Sequence, residues 1–138
     1  MSTRSWIFNE ADGACRGVYC HFDGYPEYTG KVLLENYNKN NIGKLLDLGD
    51  LSSLDTTLET CTAYHRDYGE DMAPNMVFDS PAEILKKAHK SDPDYVYLLN
   101  KNGVWQVAHI TYEQNIEFKD LKEVLNAGSG TESDAILE

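Results

Sequence analysis

Apolar residues along this chain fall in short runs, and their period switches between two and about 3.6 from one stretch to the next. Residues 5–9 (SWIFN) read as a strand, and the Asp12-Gly13 pair that follows is the strongest short-range hairpin signal. Residues 14–22 are then the return strand. Alternation places Arg16, Val18, Cys20 and Phe22 on one face, and Cys15, Gly17, Tyr19 and His21 on the other. Neither face is wholly polar, so the sheet is expected to be covered on one side and to line something on the other.

The period then lengthens. Asp23-Gly24-Tyr25-Pro26-Glu27 has the character of a helix start: Asp23 or Gly24 caps, Pro26 suits the first turn, and Glu27 complements the positive helix end. Tyr28, Val32, Leu33 and Tyr37 form the apolar stripe. Gly30 inside that helix costs ~1 kcal/mol relative to Ala, which points to close packing against another backbone or a ligand. Residues 38–41 break the helix, and Asn41 caps a short second one through Ile42, Leu45, Leu46 and Leu48, ended by Gly49. Residues 51–74 hold no sustained period beyond a short strand at 62–65, and a loop that long points to function. Ser80-Pro81-Ala82-Glu83 is a capping box opening a helix to about Lys90. Residues 95–99 and 104–110 flank Asn102-Gly103 as a second hairpin, and Phe118, Leu121, Val124 and Leu125 mark a terminal helix. The fold class is α+β: two β-hairpins forming an antiparallel sheet, packed with about four short helices. Residues 1–127 read as one domain, and 128–138 as an acidic flexible tail.

At 138 residues, 41% apolar and 25% charged, the composition is that of one ordinary globular domain. No apolar run approaches the ~18 residues that cross a bilayer, and MSTRSW lacks the apolar core of a signal peptide, so a cytoplasmic location is expected. The net charge of −11 disfavours direct nucleic-acid binding. It fits solubility, attraction to a basic protein surface, or mimicry of a nucleic acid's charge.

Candidate chemistry narrows the classes further. Cys15, Cys20 and Cys61 suit a reducing compartment as buried small hydrophobes, with Cys15 and Cys20 on opposite faces of one strand. Cys20 and His21 are adjacent and therefore face opposite ways, so they make no dyad. The cysteines and His21, His65, His89 and His109 lack zinc-site spacing; His89 reads as part of a solvated basic helix face and His109 as a core histidine. Phosphate-loop and dinucleotide motifs are absent, so neither metal nor cofactor is expected, and no catalytic constellation emerges. One grouping stands out: Arg4, Arg16, Lys31 and Arg66, four of 12 basic residues, lie near Tyr19, Tyr25, Tyr28, Tyr64 and Tyr68. With the helix start at Pro26 they suggest a cradle for a nucleotide-like anion, Arg for phosphate and Tyr for base. The plainer account is surface ion pairs with acids such as Asp67. The candidate ligand-binding set is Arg4, Arg16, His21, Asp23, Tyr25, Lys31, Tyr64 and Arg66.

The segments STRS at 2–5, Asp12-Gly13, YCHFDGYPE at 19–27, Gly30-Lys31, LGDLSSL at 48–54 and AYHRDYGE at 63–70 together resemble a family of small, mostly uncharacterised bacteriophage proteins. The resemblance covers about the first half of the chain. It implies a phage or prophage source, the cytoplasm of an infected bacterium, and an accessory role against host defence. Two modes fit. One is a non-catalytic module, possible as a homo-oligomer, that sequesters a nucleotide-type immune signal in a pocket lined by Arg4, Arg16, His21, Tyr25 and Arg66. The other is an acidic inhibitor of anti-CRISPR or anti-restriction type that docks on a basic surface of a host defence protein. The first is favoured because its candidate residues coincide with the resembling motifs.

Overall fold

A computed structural model describes residues 2–91, 93–111 and 116–127. The 128–138 tail lies outside the described residues. The class is α+β: one mixed sheet of eight strands with helices on both faces. Strands β1 (Ser5–Ala11) and β2 (Ala14–Cys20) form the first hairpin, with Asp12 at φ 55° and Gly13 at φ 78° in its two-residue turn. Both positive angles match the mirror-image turn that follows the twist of the strands. The second hairpin, β6 (Tyr95–Leu99) and β7 (Trp105–His109), closes through a five-residue loop in which only Gly103 is left-handed.

These hairpins do not build a purely antiparallel sheet. Strand β1 lies parallel to β6, in register from Ser5↔Tyr95 to Asn9↔Leu99, and that pairing joins the two hairpins. The sheet runs β4-β3-β2-β1-β6-β7-β8. Its outer members are β3 (Leu51–Ser53), β4 (Thr62–Ala63) and β8 (Lys119–Asp120). Beyond β2 the edge is shared: β3 pairs with Cys20, while β5 (Met76–Phe78) pairs with residues 15–17.

Both faces of the sheet are covered, which corrects the expectation of a single covered side. Under helices α1 (Lys31–Asn36), α2 (Ile42–Asp47) and α5 (121–127) lies one core built on Ile7, Val18, Cys20, Tyr97, Leu99 and Trp105. On the opposite face α4 (Pro81–Ala88) lays Ile84 and Ala88 over Trp6, Phe8, Cys15, Val96 and Leu98. Ser80 caps α4 by accepting the Glu83 N–H at 3.3 Å, as the capping box requires. Gly17 sits opposite Phe8, and a Cβ there would lie 2.5 Å from that ring and 2.6 Å from the Ile7 carbonyl.

The helix after β2 departs from its sequence reading at the start. Asp23 is left-handed (φ 58°) and caps nothing; its carbonyl accepts the Thr29 hydroxyl at 2.6 Å. Tyr25 holds the cap position in extended conformation, and the chain opens as a π-turn (Pro26–Gly30) before tightening into α1. Gly24 makes this possible. Its N–H donates to the Thr3 carbonyl at 2.8 Å, a Cβ would strike Ser5, and its carbonyl accepts the buried Tyr97 hydroxyl at 2.6 Å. Gly30 packs where a Cβ would touch Leu121 and Tyr97, the close approach its sequence position implies. The strand at 62–65 stops at Ala63, because the Asp67 carboxylate accepts the Ala63 N–H at 2.8 Å and starts α3 (Tyr64–Tyr68) instead.

Two substitutions test this architecture by urea denaturation. Gly17→Ala is expected to destabilise the protein by roughly 2–3 kcal/mol, since the Ile7 backbone cannot yield to the added methyl. Tyr97→Phe is expected to cost ~1 kcal/mol, the net worth of one buried hydrogen bond.

Candidate functional site

The eight candidate residues do not form one cradle. Arg16 donates from Nη1 to Asp47 at 3.2 Å and to Asn75 at 2.7 Å, tying β2 to the end of α2 and the approach to β5. Arg66 forks onto the neighbouring Asp67 carboxylate, Nε and Nη2 each at 3.0 Å, and donates to the Leu58 and Cys61 carbonyls at 2.9 and 2.5 Å. It clips the 55–61 loop to α3. These two arginines are structural, and the ion-pair account of Arg66 with Asp67 describes it. The helix start offers no anion nest either: Pro26 has no N–H, and those of Tyr28 and Thr29 both bond the Tyr25 carbonyl. Asp23, Tyr25 and Lys31 are exposed around this turn without side-chain hydrogen bonds among the described residues.

Two of the eight, His21 and Tyr64, do meet, and Arg4 lies beside Tyr19, whose ring meets His21. The end of β2 continues alongside β3 through the N–H groups of His21 and Phe22, which donate to Leu51 and Ser52 at 3.0 Å. That extension turns His21 outward. Its ring stacks on Phe22 (centroids 4.3 Å, 28°), meets the edge of Tyr19 at 5.7 Å, and its Nδ1 lies 3.1 Å from the Tyr64 hydroxyl. Tyr64 in turn touches Tyr68 at 5.9 Å. Burial raises the Tyr19 phenol above its usual range, and the adjacent Arg4 guanidinium opposes that shift. Phe22 at 44%, Tyr68 at 62% and Met72 at 44% exposure carry the aromatic and apolar surface out to solvent. Asp50 holds the arrangement from within: its carboxylate accepts the Tyr19 N–H at 3.0 Å, and its carbonyl accepts that of Tyr64 at 3.2 Å.

This edge is also where the charge gathers. Residues 47–71 carry seven acids and one base, Arg66, for a net −6 out of the chain's −11. Arg66 is neutralised internally, while the exposed carboxylates of Glu59, Glu70 and Asp71 hold no hydrogen-bond or ion-pair partner among the described residues. The acids therefore concentrate on one edge. That could have been read from the 47–71 window, whereas the aromatic ladder depends on which strands pair.

The thiols are enclosed by the fold. All three cysteines are buried and free. Burial pushes the Cys20 thiol up to about 12 and the Cys15 thiol up to about 11, with neighbouring thiol and carboxylate charge adding to the rise. Cys61 is enclosed by the Tyr37 hydroxyl at 3.5 Å and the Asp55 N–H at 3.2 Å. No group of three or more metal-ligating side chains occurs among the described residues. His109 is not a core histidine; it is exposed and stacks on Tyr95 at 4.6 Å. His89 is half-buried where α4 ends, with Lys86, Lys87 and Lys90 exposed around it. Two concavities, one beside Tyr95 and His109 and one along α4, are lined by none of the eight candidate residues. No helix among the described residues is long and apolar enough to cross a membrane. No protein-family model, curated protein or solved structure matches the chain.

Two outcomes follow from this geometry. All three thiols are expected to stay silent toward an aromatic disulfide reagent at pH 8 and to react only once denaturant unfolds the chain. The Asp67 carboxyl is held below the usual carboxylate range, first by Arg66 and then by the Ala63 N–H. Its contribution is therefore present above about pH 4 and lost as pH falls through the depressed value. Asp67→Asn is expected to melt below the native protein at neutral pH and to converge with it in acid, whereas Arg66→Ala, which also loses the bonds to the Leu58 and Cys61 carbonyls, stays below it at every pH, as thermal melts across pH will show.

Proposed function

We propose that this protein is a non-catalytic binding module that docks its acidic aromatic edge on a basic surface of a partner protein, of the kind that grips nucleic acid. The observation that carries this reading is the three exposed carboxylates of Glu59, Glu70 and Asp71, without ion-pair partners among the described residues, on the same edge as the exposed rings of Phe22 and Tyr68. Carboxylates presented to a basic partner steer association and set specificity, and rigid aromatic side chains supply the desolvated anchors. The resemblance to small bacteriophage proteins makes the setting counter-defence inside an infected bacterium, with a nuclease complex as partner.

A second reading rests on the ring cluster of Tyr19, His21 and Tyr64, with Arg4 beside Tyr19. Rings for stacking and one guanidinium make a shallow seat for a nucleotide-type signal on the same edge. It is the weaker reading, because Arg16 and Arg66, which were to hold the phosphates, hold Asp47 and Asp67 instead.

The two readings separate by experiment. In the docking mode, the complex with a purified host nuclease assembly weakens steeply with salt. Reversing Glu59, Glu70 and Asp71 to Lys together weakens it by roughly tenfold or more, chiefly in the association rate. A complex indifferent to both salt and charge reversal sinks the docking mode. In the nucleotide mode, Arg4→Ala abolishes the rise in melting temperature given by a panel of cyclic and ADP-ribose nucleotides, and a panel that shifts nothing sinks it.

A further inference from the structure

The opposite end of the sheet carries a separate site. Where β6 begins and β7 ends, a groove of about 530 Å³ opens between the π-turn, the sheet and α5. That volume is in the range of small-ligand clefts. Its lining includes the Tyr95–His109 pair, two rings stacked at 4.6 Å and 13°, next to Val107. Pro26 stands on one side and Val124 of α5 on the other. Among the described lining residues, Glu27 and Glu117 bring carboxylates to the groove against one ammonium, that of Lys119.

The local backbone singles out the same place. The π-turn is the one departure from α geometry in the helix it opens, and it carries Pro26 and Glu27 to the groove. Such turns cost stability and recur at functional sites. Burial first, then the charges of Glu27 and Asp94, raise the Tyr95 phenol above its usual range. An anion would meet two carboxylates for one ammonium. A flat cation would meet π surface, apolar walls and carboxylates together.

The geometry points to a binding site for a small planar organic cation, an amidinium, guanidinium or protonated heteroaromatic ring, in the groove formed by Glu27, Tyr95, His109 and Glu117. This site lies apart from the acidic edge and does not depend on the docking function.

The experiment uses benzamidine as the probe, with benzamide and benzoate as its neutral and anionic isosteres, titrated into the full chain. Ring signals of His109 and Tyr95 are followed by NMR. Benzamidine is expected to shift both saturably, and benzoate to bind at least about tenfold more weakly. Glu27→Gln combined with Glu117→Gln is expected to weaken benzamidine about tenfold while leaving benzamide unchanged. His109→Ala, at an exposed position, is expected to weaken both while the amide spectrum stays dispersed. Benzoate binding as tightly as benzamidine overturns the proposal. So does benzamidine binding that survives loss of both carboxylates, or the absence of any saturable shift at His109.

Discussion

The parallel pairing of β1 with β6 is the constraint on which the rest of this structure depends. Ile7 and Phe8 are neighbours in sequence and both fully buried, one beneath α1 and α2 and the other beneath α4. A strand with both faces covered must sit inside a sheet, and β1 is interior because β2 flanks it on one side and β6 on the other. Once β1 is fixed, Tyr97 lies beside Ile7 on the face beneath α1 and α2 and reaches the Gly24 carbonyl. The turn leaving β2 is thereby anchored to a strand more than seventy residues away in sequence. The π-turn, α1 and the groove beside Tyr95 all take their positions from that anchor.

The same centre leaves two very different ends. Toward β3, β4 and α3 the sheet thins to short strands held by side-chain clips, with Asp50 bonding β2 and the start of α3 and Arg66 fastening the loop before α3. Short strands with charged side chains protect an edge against indiscriminate pairing, and here they also concentrate acidity next to exposed rings. Toward β7 and β8 the sheet meets the π-turn and α5, and the gap between them becomes a groove. The scarce cations serve structure at the first end: Arg16 and Arg66 satisfy acids and carbonyls of their own surroundings. In a chain of −11, that internal use of arginine leaves surface carboxylates to dominate what a partner meets.

Much of the fold was legible from local chemistry. Asp12-Gly13 forms its hairpin because glycine tolerates positive φ and aspartate accepts it at modest cost. Ser80 to Glu83 forms its cap because the hydroxyl meets an orphan N–H three residues on. The break at residues 38–41, the helix ended by Gly49 and the burial of all three thiols follow from equally short-range patterns. The candidate site was legible only in part. His21 and Tyr64 meet, with Arg4 beside Tyr19, but Arg16 and Arg66 turn to other partners. A basic residue's partner depends on which carboxylate folding brings within reach, and with 23 acids in the chain proximity in sequence is a poor guide.

By itself, then, the amino-acid sequence determined the net charge of −11 and the elements whose causes lie within a few residues: turns, caps and helix stripes. Only the tertiary structure decided that the hairpins join in parallel, that both sheet faces are buried, and that the helix after β2 opens as a π-turn. Each of those outcomes turns on groups far apart along the chain, such as Ser5 with Tyr95 or Gly24 with Tyr97. Backbone hydrogen bonding is the same for every residue type, so which strands pair is chosen by the burial of whole surfaces. That choice exists only once the chain has collapsed.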